Sequence, residues 1–256
     1  MNERIVIVGA GNMATAIAYA LKEGGNTPVA VWSRTHESAA QLGVRVGCSF
    51  TDNLDSLPLA EIVIISVADN ALRDVAAAVA ERFPNALLLH TAGSIPMDAL
   101  REAGAAHYGV LYPMQTVNKN SVTSLRNITT FIEGCDDAVT SRIKKLAAII
   151  SEKVVYATSE QRCSLHVAAV FACNFPNAVY NMAYELMQRN NLPFDAMLPL
   201  IDEAARKVHR MSPLEAQTGP ARRGDNNVMN SHKSMLDDEL ANIYETLSNY
   251  IMKRNR

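Results

Sequence analysis

The run VIVGAGNMATAI, residues 6–17, constrains this chain more than any other stretch. It places Gly9-x-Gly11-x-x-Ala14 directly after an apolar β-branched run and directly before a helical pattern. In that context the glycines have separate jobs. Gly9 permits a tight turn, Gly11 lets backbone approach a pyrophosphate, and Ala14 lets the helix pack closely on the strand. The amides of Asn12 and Met13 would then face phosphates at a helix N-terminus. A strand–turn–helix unit of this kind predicts a dinucleotide-binding α/β domain.

The rhythm of the following residues agrees. Short apolar runs, RIVIVG, VAVWSR, EIVIISV and ALLLHTAG, alternate with helix-like stretches such as NMATAIAYALKEGG and NALRDVAAAVAERF. Runs of four to six apolar residues with polar or glycine ends read as strands buried on both faces. Strand–helix alternation predicts a doubly wound, mainly parallel sheet. NITTFIEG and KVVYAT read as two further strands, with the helix DAVTSRIKKLAAIIS between them. After Thr158 the pattern becomes helical. This predicts an α/β Rossmann domain over residues 1–157 and an all-α domain over 158–256. In the helical half, Ser159 is the expected cap of a long apolar helix and Pro176 its expected kink. Leu236, Leu240, Ile243, Leu247 and Ile251 form one face of the last helix. The long helix carries more apolar surface than three helices cover, so a homodimer is expected.

Composition narrows the partners. With 256 residues, 48% hydrophobic and 20% charged, the chain can bury a sizeable core without disulfides. A net charge of −2 argues against nucleic acid as a partner. Cys48, Cys135, Cys163 and Cys173 form no C-x-x-C pair, which argues against a zinc or redox site. No stretch approaches the roughly 18 apolar residues of a membrane helix, and the N-terminus lacks the pattern of a signal peptide. The expected compartment is the cytoplasm.

The end of the second strand bears on the cofactor. NAD sites place an acidic residue about 20 positions after the fingerprint. Here the strand ends in Ser33-Arg34-Thr35. Arginine can bind a 2′-phosphate bidentately and stack on adenine, so NADP(H) is expected over NAD(H). Val67 and Ala68, at the end of IVIISV, would line the nicotinamide side. Asp69 is read as a helix cap in preference to a ligand contact. His90, inside an apolar run, is read as a core histidine.

Together, GAGNMATAIA, SRT, IISVADNAL and HTAG resemble the Rossmann domains of pyrroline-5-carboxylate reductases and deazaflavin-dependent NADP oxidoreductases. LHVAAVFACNF and TGPARRGDN resemble a bacterial family that joins such a domain to a helical domain of unknown function. The resemblance spans essentially the whole chain and implies an NADP-dependent oxidoreductase with catalytic groups on the long helix. His166 and Asn174 are the polar candidates there, His166 as general acid and Asn174 to orient a carbonyl or carboxamide. In GVLYPMQTV, Tyr112 stands where a histidine is expected before proline. It remains a candidate substrate contact that would not titrate near neutrality.

TGPARRGDN contains Arg223-Gly224-Asp225, an adhesion-like tripeptide that a cytoplasmic chain would not use. The loop reading leaves Arg223 to pair with Asp225 or to hold an anionic substrate group. Three functions follow: hydride transfer to or from a small carbonyl or imine, NADP(H) binding by a non-catalytic regulator, or deazaflavin-linked oxidoreduction.

Overall fold

The computed structural model describes residues 3–119 and 124–255. The chain divides into two compact units, Met1–Cys173 and Asn174–Arg256.

The first unit is built on one eight-stranded sheet: β1 (Ile5–Val8), β2 (Ala30–Trp32), β3 (Ser49–Thr51), β4 (Ile62–Ile65), β5 (Leu87–His90), β6 (His107–Pro113), β7 (Thr129–Gly134) and β8 (Lys153–Tyr156). The spatial order is β3-β2-β1-β4-β5-β6-β7-β8. Every pairing is parallel except β6 with β7. Six helices accompany it: α1 (Asn12–Glu23), α2 (His36–Val46), α3 (Leu72–Arg82), α4 (Asp98–Glu102), α5 (Asp137–Ile150) and α6 (Ser159–Ala169).

The continuous apolar strands follow from this sandwich. Strand side chains alternate between faces, so a strand covered on both sides must be apolar throughout. Ile5, Ile7, Ile62, Ile64, Leu87 and Leu89 point into one core with Ala14, Ile17 and Leu21 of α1 and Ile143 and Leu146 of α5. Val6, Val8, Val63, Ile65 and Leu88 point into the other with Leu72, Ala76 and Val79 of α3. Each fully buried leucine or isoleucine contributes about 1.5–3 kcal/mol.

The first unit extends past the 157/158 change of rhythm and takes in α6. Its anchor is Arg162, which is 1% exposed and bonded to Glu133 of β7 at 2.6 Å. The cap of α6 is Thr158 rather than Ser159. The Thr158 hydroxyl accepts from the Gln161 amide, and Gln161 bonds back to the Thr158 amide. Ser159 instead turns its hydroxyl to Glu133 at 2.7 Å. Beyond α6 the backbone widens into a π turn, Val170–Asn174. Pro176, which has no N–H to continue the ladder, follows in the first turn of the next helix.

The second unit contains α7 (Phe175–Arg189), α8 (Leu198–Val208), α9 (Pro213–Ala216), α10 (Pro220–Arg223), α11 (Asn226–Lys233) and α12 (Asp238–Arg254). Leu236 lies outside α12, because Asp237 caps that helix by accepting from the Leu240 amide at 3.0 Å. Arg189 ties α7 to the same cap at 2.9 Å. Within TGPARRGDN the chain is not an open loop. Pro220 starts the helical turn α10, Gly224 ends it at φ 67°, and Asp225 caps α11. No helix among the described residues is long and apolar enough to cross a membrane.

Candidate active site

Strand register builds the site. Val8 pairs with both Trp32 and Ile65, and Ile65 pairs with His90. Gly9, Ser33, Ser66 and Thr91 therefore leave the sheet at one level, at the carboxyl ends of β1, β2, β4 and β5. Open α/β sheets bind ligands at this edge, where strand order reverses. A cleft of about 1000 Å³ lies there.

One end of the cleft is the glycine turn. Gly9 has φ 124°, and a Cβ on it would stand 2.1 Å from the Ser66 carbonyl oxygen. Only glycine lets β1 and β4 approach this closely while the chain turns. A Cβ at Gly11 would meet nothing within 4 Å, so the turn opens onto free space. No side chain caps α1, and its first turn holds no acidic residue. Its first amides are thus left for an anion, as a pyrophosphate requires. Asn12 and Met13 line the cleft, whereas Ala14 is fully buried beneath them, where its small side chain lets α1 sit on the sheet. Ser33, Arg34 and Thr35 line the cleft where the chain leaves β2, with Arg34 exposed and Ser38 of α2 also in the lining. These residues fit a dinucleotide bearing a 2′-phosphate. Replacing Arg34 with alanine is expected to raise the Kd for NADPH about 30-fold and leave that for NADH within about twofold. Fluorescence titration with both nucleotides measures this, and equal changes for the two would contradict it.

The other end is formed by Val67, Ala68, Thr91, Ala92, Gly93, Tyr112, Gln115 and His166. Tyr112, the next-to-last residue of β6, is 8% exposed. Its hydroxyl lies 3.3 Å from His166 Nδ1, and the rings meet edge-on with centroids 6.4 Å apart. Burial raises the Tyr112 pKa above the usual phenol value, against the opposing pull of the Arg162 charge. The hydroxyl therefore stays neutral and can exchange a hydrogen bond with imidazole. Gly93 packs against both groups. A Cβ there would lie 2.6 Å from His166 Nδ1 and 3.0 Å from the Tyr112 hydroxyl.

Asp69 does not cap α3. Its carboxylate accepts from the Ser94 hydroxyl at 2.5 Å, joining the segments that follow β4 and β5 at the rim of the cleft. His90 is fully buried one residue before the cleft, with Nδ1 accepting from the Ala92 amide at 3.2 Å. Burial first, then the nearby Arg162 charge, lowers its pKa to about 3. It is a neutral core group at physiological pH.

The structure thus brings together the fingerprint, Ser33–Thr35, Val67, Ala68, Tyr112 and His166 in one cleft. Asn174, Arg223 and Asp225 belong to the second unit and are not among the residues lining it. Asp225 accepts from the Val228 amide at 3.2 Å as a helix cap. Among the described residues no ion pair joins it to Arg223. The neighbouring Arg222 folds back onto the Glu215 and Gln217 carbonyls and shapes this segment. The small residues of HTAGS suit the approach of a ligand, but neither Gly93 nor Gln115 is marked individually as a cleft residue. Their signal was present in the small-residue run HTAG and in GVLYPMQTV, but which face they line depends on the pairing of β5 with β6.

Residues 4–92 match the family described as NADP oxidoreductase coenzyme F420-dependent, and residues 128–251 match a domain of unknown function, DUF2520. No curated protein matches the chain. Among solved structures, the Bacteroides fragilis protein "putative NADP oxidoreductase BF3122" is 46% identical, with a TM-score of 0.93 and 98% of each chain covered. An imine reductase from Myxococcus stipitatus in complex with NADP+ shares the fold at 16% identity and a TM-score of 0.68, with 98% of this chain and 92% of that one covered. A pyrroline-5-carboxylate reductase from Coxiella burnetii does so at 16% identity and a TM-score of 0.63, with 100% of both chains covered. The near-complete match at 46% identity places the chain in the oxidoreductase family of the Bacteroides protein, an NADP oxidoreductase-type domain followed by a DUF2520 domain.

Proposed function

We propose that the protein is an NADP(H)-dependent oxidoreductase that transfers hydride to or from a small carbonyl or imine compound. The observation that carries this reading is the Tyr112–His166 pair, 3.3 Å apart, in the same cleft as the glycine turn and Arg34. The first amides of α1, Arg34, Val67 and Ala68 would hold the nucleotide in the cleft that also contains that pair. When bound, the nucleotide would supply the hydride chemistry at the substrate carbon. His166 gives the balancing proton to the substrate oxygen or nitrogen, or takes it in the reverse direction. Tyr112 occupies Nδ1, which leaves Nε2 for the substrate, and as a neutral phenol it keeps the ring in one orientation. The solved imine reductase, in complex with NADP+, is consistent with this substrate class.

The working form proposed is a homodimer built on the second unit. The 15-residue α7 has no buried residue, and Val179, Tyr184, Leu200, Val208 and Tyr250 of this unit are each at least 41% exposed. Apolar exposure on this scale is costly in water and is relieved by a second copy.

The test is NADPH oxidation with a panel of cyclic imines and oxo acids. His166→Ala is expected to lower turnover about 100-fold while NADPH affinity stays within about twofold. Unchanged turnover would remove His166 from the chemistry. NADPH binding without turnover of any member would favour a binding protein.

A further inference from the structure

One helical turn before His166, Arg162 is the most deeply buried charged side chain among the described residues of the first unit, at 1% exposure. Each of its three nitrogens donates a hydrogen bond. One terminal nitrogen donates to Glu133 Oε2 at 2.6 Å, Nε donates to the Ala92 carbonyl at 3.2 Å, and the other terminal nitrogen donates to the Ile95 carbonyl at 2.5 Å and to Ser159 Oγ at 3.3 Å. Glu133 also accepts the Ser159 amide at 2.8 Å and the Ser159 hydroxyl at 2.7 Å. That hydroxyl accepts the Met97 amide at 2.9 Å. The segment from Ala92 to Met97 is therefore tied to α6 at three points, two through Arg162 and one through the Ser159 hydroxyl that shares Glu133 with it.

Such a pair is a poor source of net stability, because desolvation offsets most of its attraction. What it supplies is geometry. Gly93 lies between the Ala92 and Ile95 anchors, and a Cβ on it would stand 2.6 Å from His166 Nδ1 and 3.0 Å from the Tyr112 hydroxyl, so a side chain there would displace the ring. A guanidinium suits this task better than an ammonium. Its fixed planar fork reaches both carbonyls and the carboxylate together.

We propose that Arg162 is the positioning residue for His166: by holding the Ala92 and Ile95 carbonyls it presses the Gly93 backbone against the imidazole and keeps Nδ1 on the Tyr112 hydroxyl. As a statement about catalysis this rests on His166 being the proton donor, but the positioning is testable without turnover. Arg162→Lys keeps the charge beside Glu133 and cannot span both carbonyls. Arg162→Met combined with Glu133→Gln removes both charges, so that no buried charge is left unpaired.

Nitrogen-15 resonances of the His166 ring, assigned by their loss in His166→Gln, report the Nδ1 hydrogen bond in the full-length protein. The expected result is that Nδ1 loses its bonded signature in both variants while the Kd for NADPH stays within about twofold. Where turnover is measurable, kcat is expected to fall about tenfold in Arg162→Lys with KM for NADPH unchanged. Gly93→Ala, with Arg162 in place, is expected to give the same loss of the Nδ1 signature by pushing the ring away. A His166 ring unchanged in Arg162→Lys or in Gly93→Ala overturns the proposal. So does a loss of NADPH affinity parallel to the loss of the ring signal, because that outcome makes Arg162 a general support of the fold. Turnover that survives His166→Ala would sink the catalytic reading and leave the ring measurement standing.

Discussion

Gly9→Ala is expected to cost on the order of 4 kcal/mol of folding stability and to weaken NADPH binding at least about 100-fold. The added methyl would stand 2.1 Å from the Ser66 carbonyl oxygen and 2.7 Å from its carbon. Both are backbone atoms of the segment leaving β4, held by the Ser66 amide bond to the Val8 carbonyl at 2.8 Å, so they cannot rotate away. The φ of 124° adds strain for any residue with a side chain. Relief requires β1 and β4 to separate where the pyrophosphate turn begins. Gly11→Ala is the contrast. A Cβ there meets no protein atom within 4 Å, so stability is expected to hold while NADPH affinity falls. Urea unfolding and NADPH fluorescence titration of the two variants separate the roles. Equal stability in both would mean that β1 and β4 can part freely.

Acid is expected to destabilise the protein through His90, by on the order of 4 kcal/mol between pH 6.5 and pH 3. Its pKa is lowered from 6.5 to about 3, first by burial and then by the Arg162 charge. A histidine with a depressed folded-state pKa is neutral when folded, so the unfolded chain binds the extra proton. The stability linked to it is complete above the unfolded value of 6.5 and is lost progressively as pH falls toward 3. Between pH 6.5 and 4.5 most carboxylates are ionised in both states. Glu61, whose pKa is lowered to about 2 by its hydrogen bonds from Arg4, adds an acid loss of the same sign only as pH nears its unfolded value of 4.5, at the end of that window. The slope in that window thus reports mainly histidine, about 1.4 kcal/mol per pH unit for one proton. His90→Gln is expected to start less stable at pH 7, because a shaped core site is disturbed, but to show a flatter dependence from pH 6.5 to 4.5. Urea midpoints at half-unit intervals measure it, and identical slopes would assign the acid sensitivity to other groups.

Much of the cofactor half was legible because its signals are local. The turn needs glycine at 9 and free space at 11, and two-sided burial makes β1, β4 and β5 continuous apolar runs, whatever lies elsewhere in the chain. Strand β3 was less visible. SerPheThr, residues 49–51, is short and partly exposed at the sheet edge, so no apolar run marks it. Ser159 illustrates a different limit. As a residue type it suits a helix cap, but the neighbouring Thr158 takes that place, and the Ser159 hydroxyl joins a network that exists only after β7 has paired with β6.

The same division separates the candidate residues. His166 could be selected from sequence as a titratable group on an apolar helix, and Tyr112 as an unusual residue before proline. They are 54 positions apart, and only the packing of α6 against β6 brings them to 3.3 Å. Arg223 and Asp225 drew attention as charges in a glycine- and proline-rich stretch. That stretch folds into a helical turn and a cap, a local use of the same residues. Nothing in the sequence marks Arg162, since a single arginine on a helix is ordinarily a solvated one.

By itself the sequence determined the central strands of the sheet, the glycine turn after β1 and the arginine that follows β2, because each depends on spacing within a few residues. The tertiary structure alone decided that Arg162 is buried with Glu133, that Gly93 has no room for a side chain, and that Tyr112 meets His166. Those facts depend on distances between segments far apart in the chain, which are set by sheet order and register rather than by any local preference.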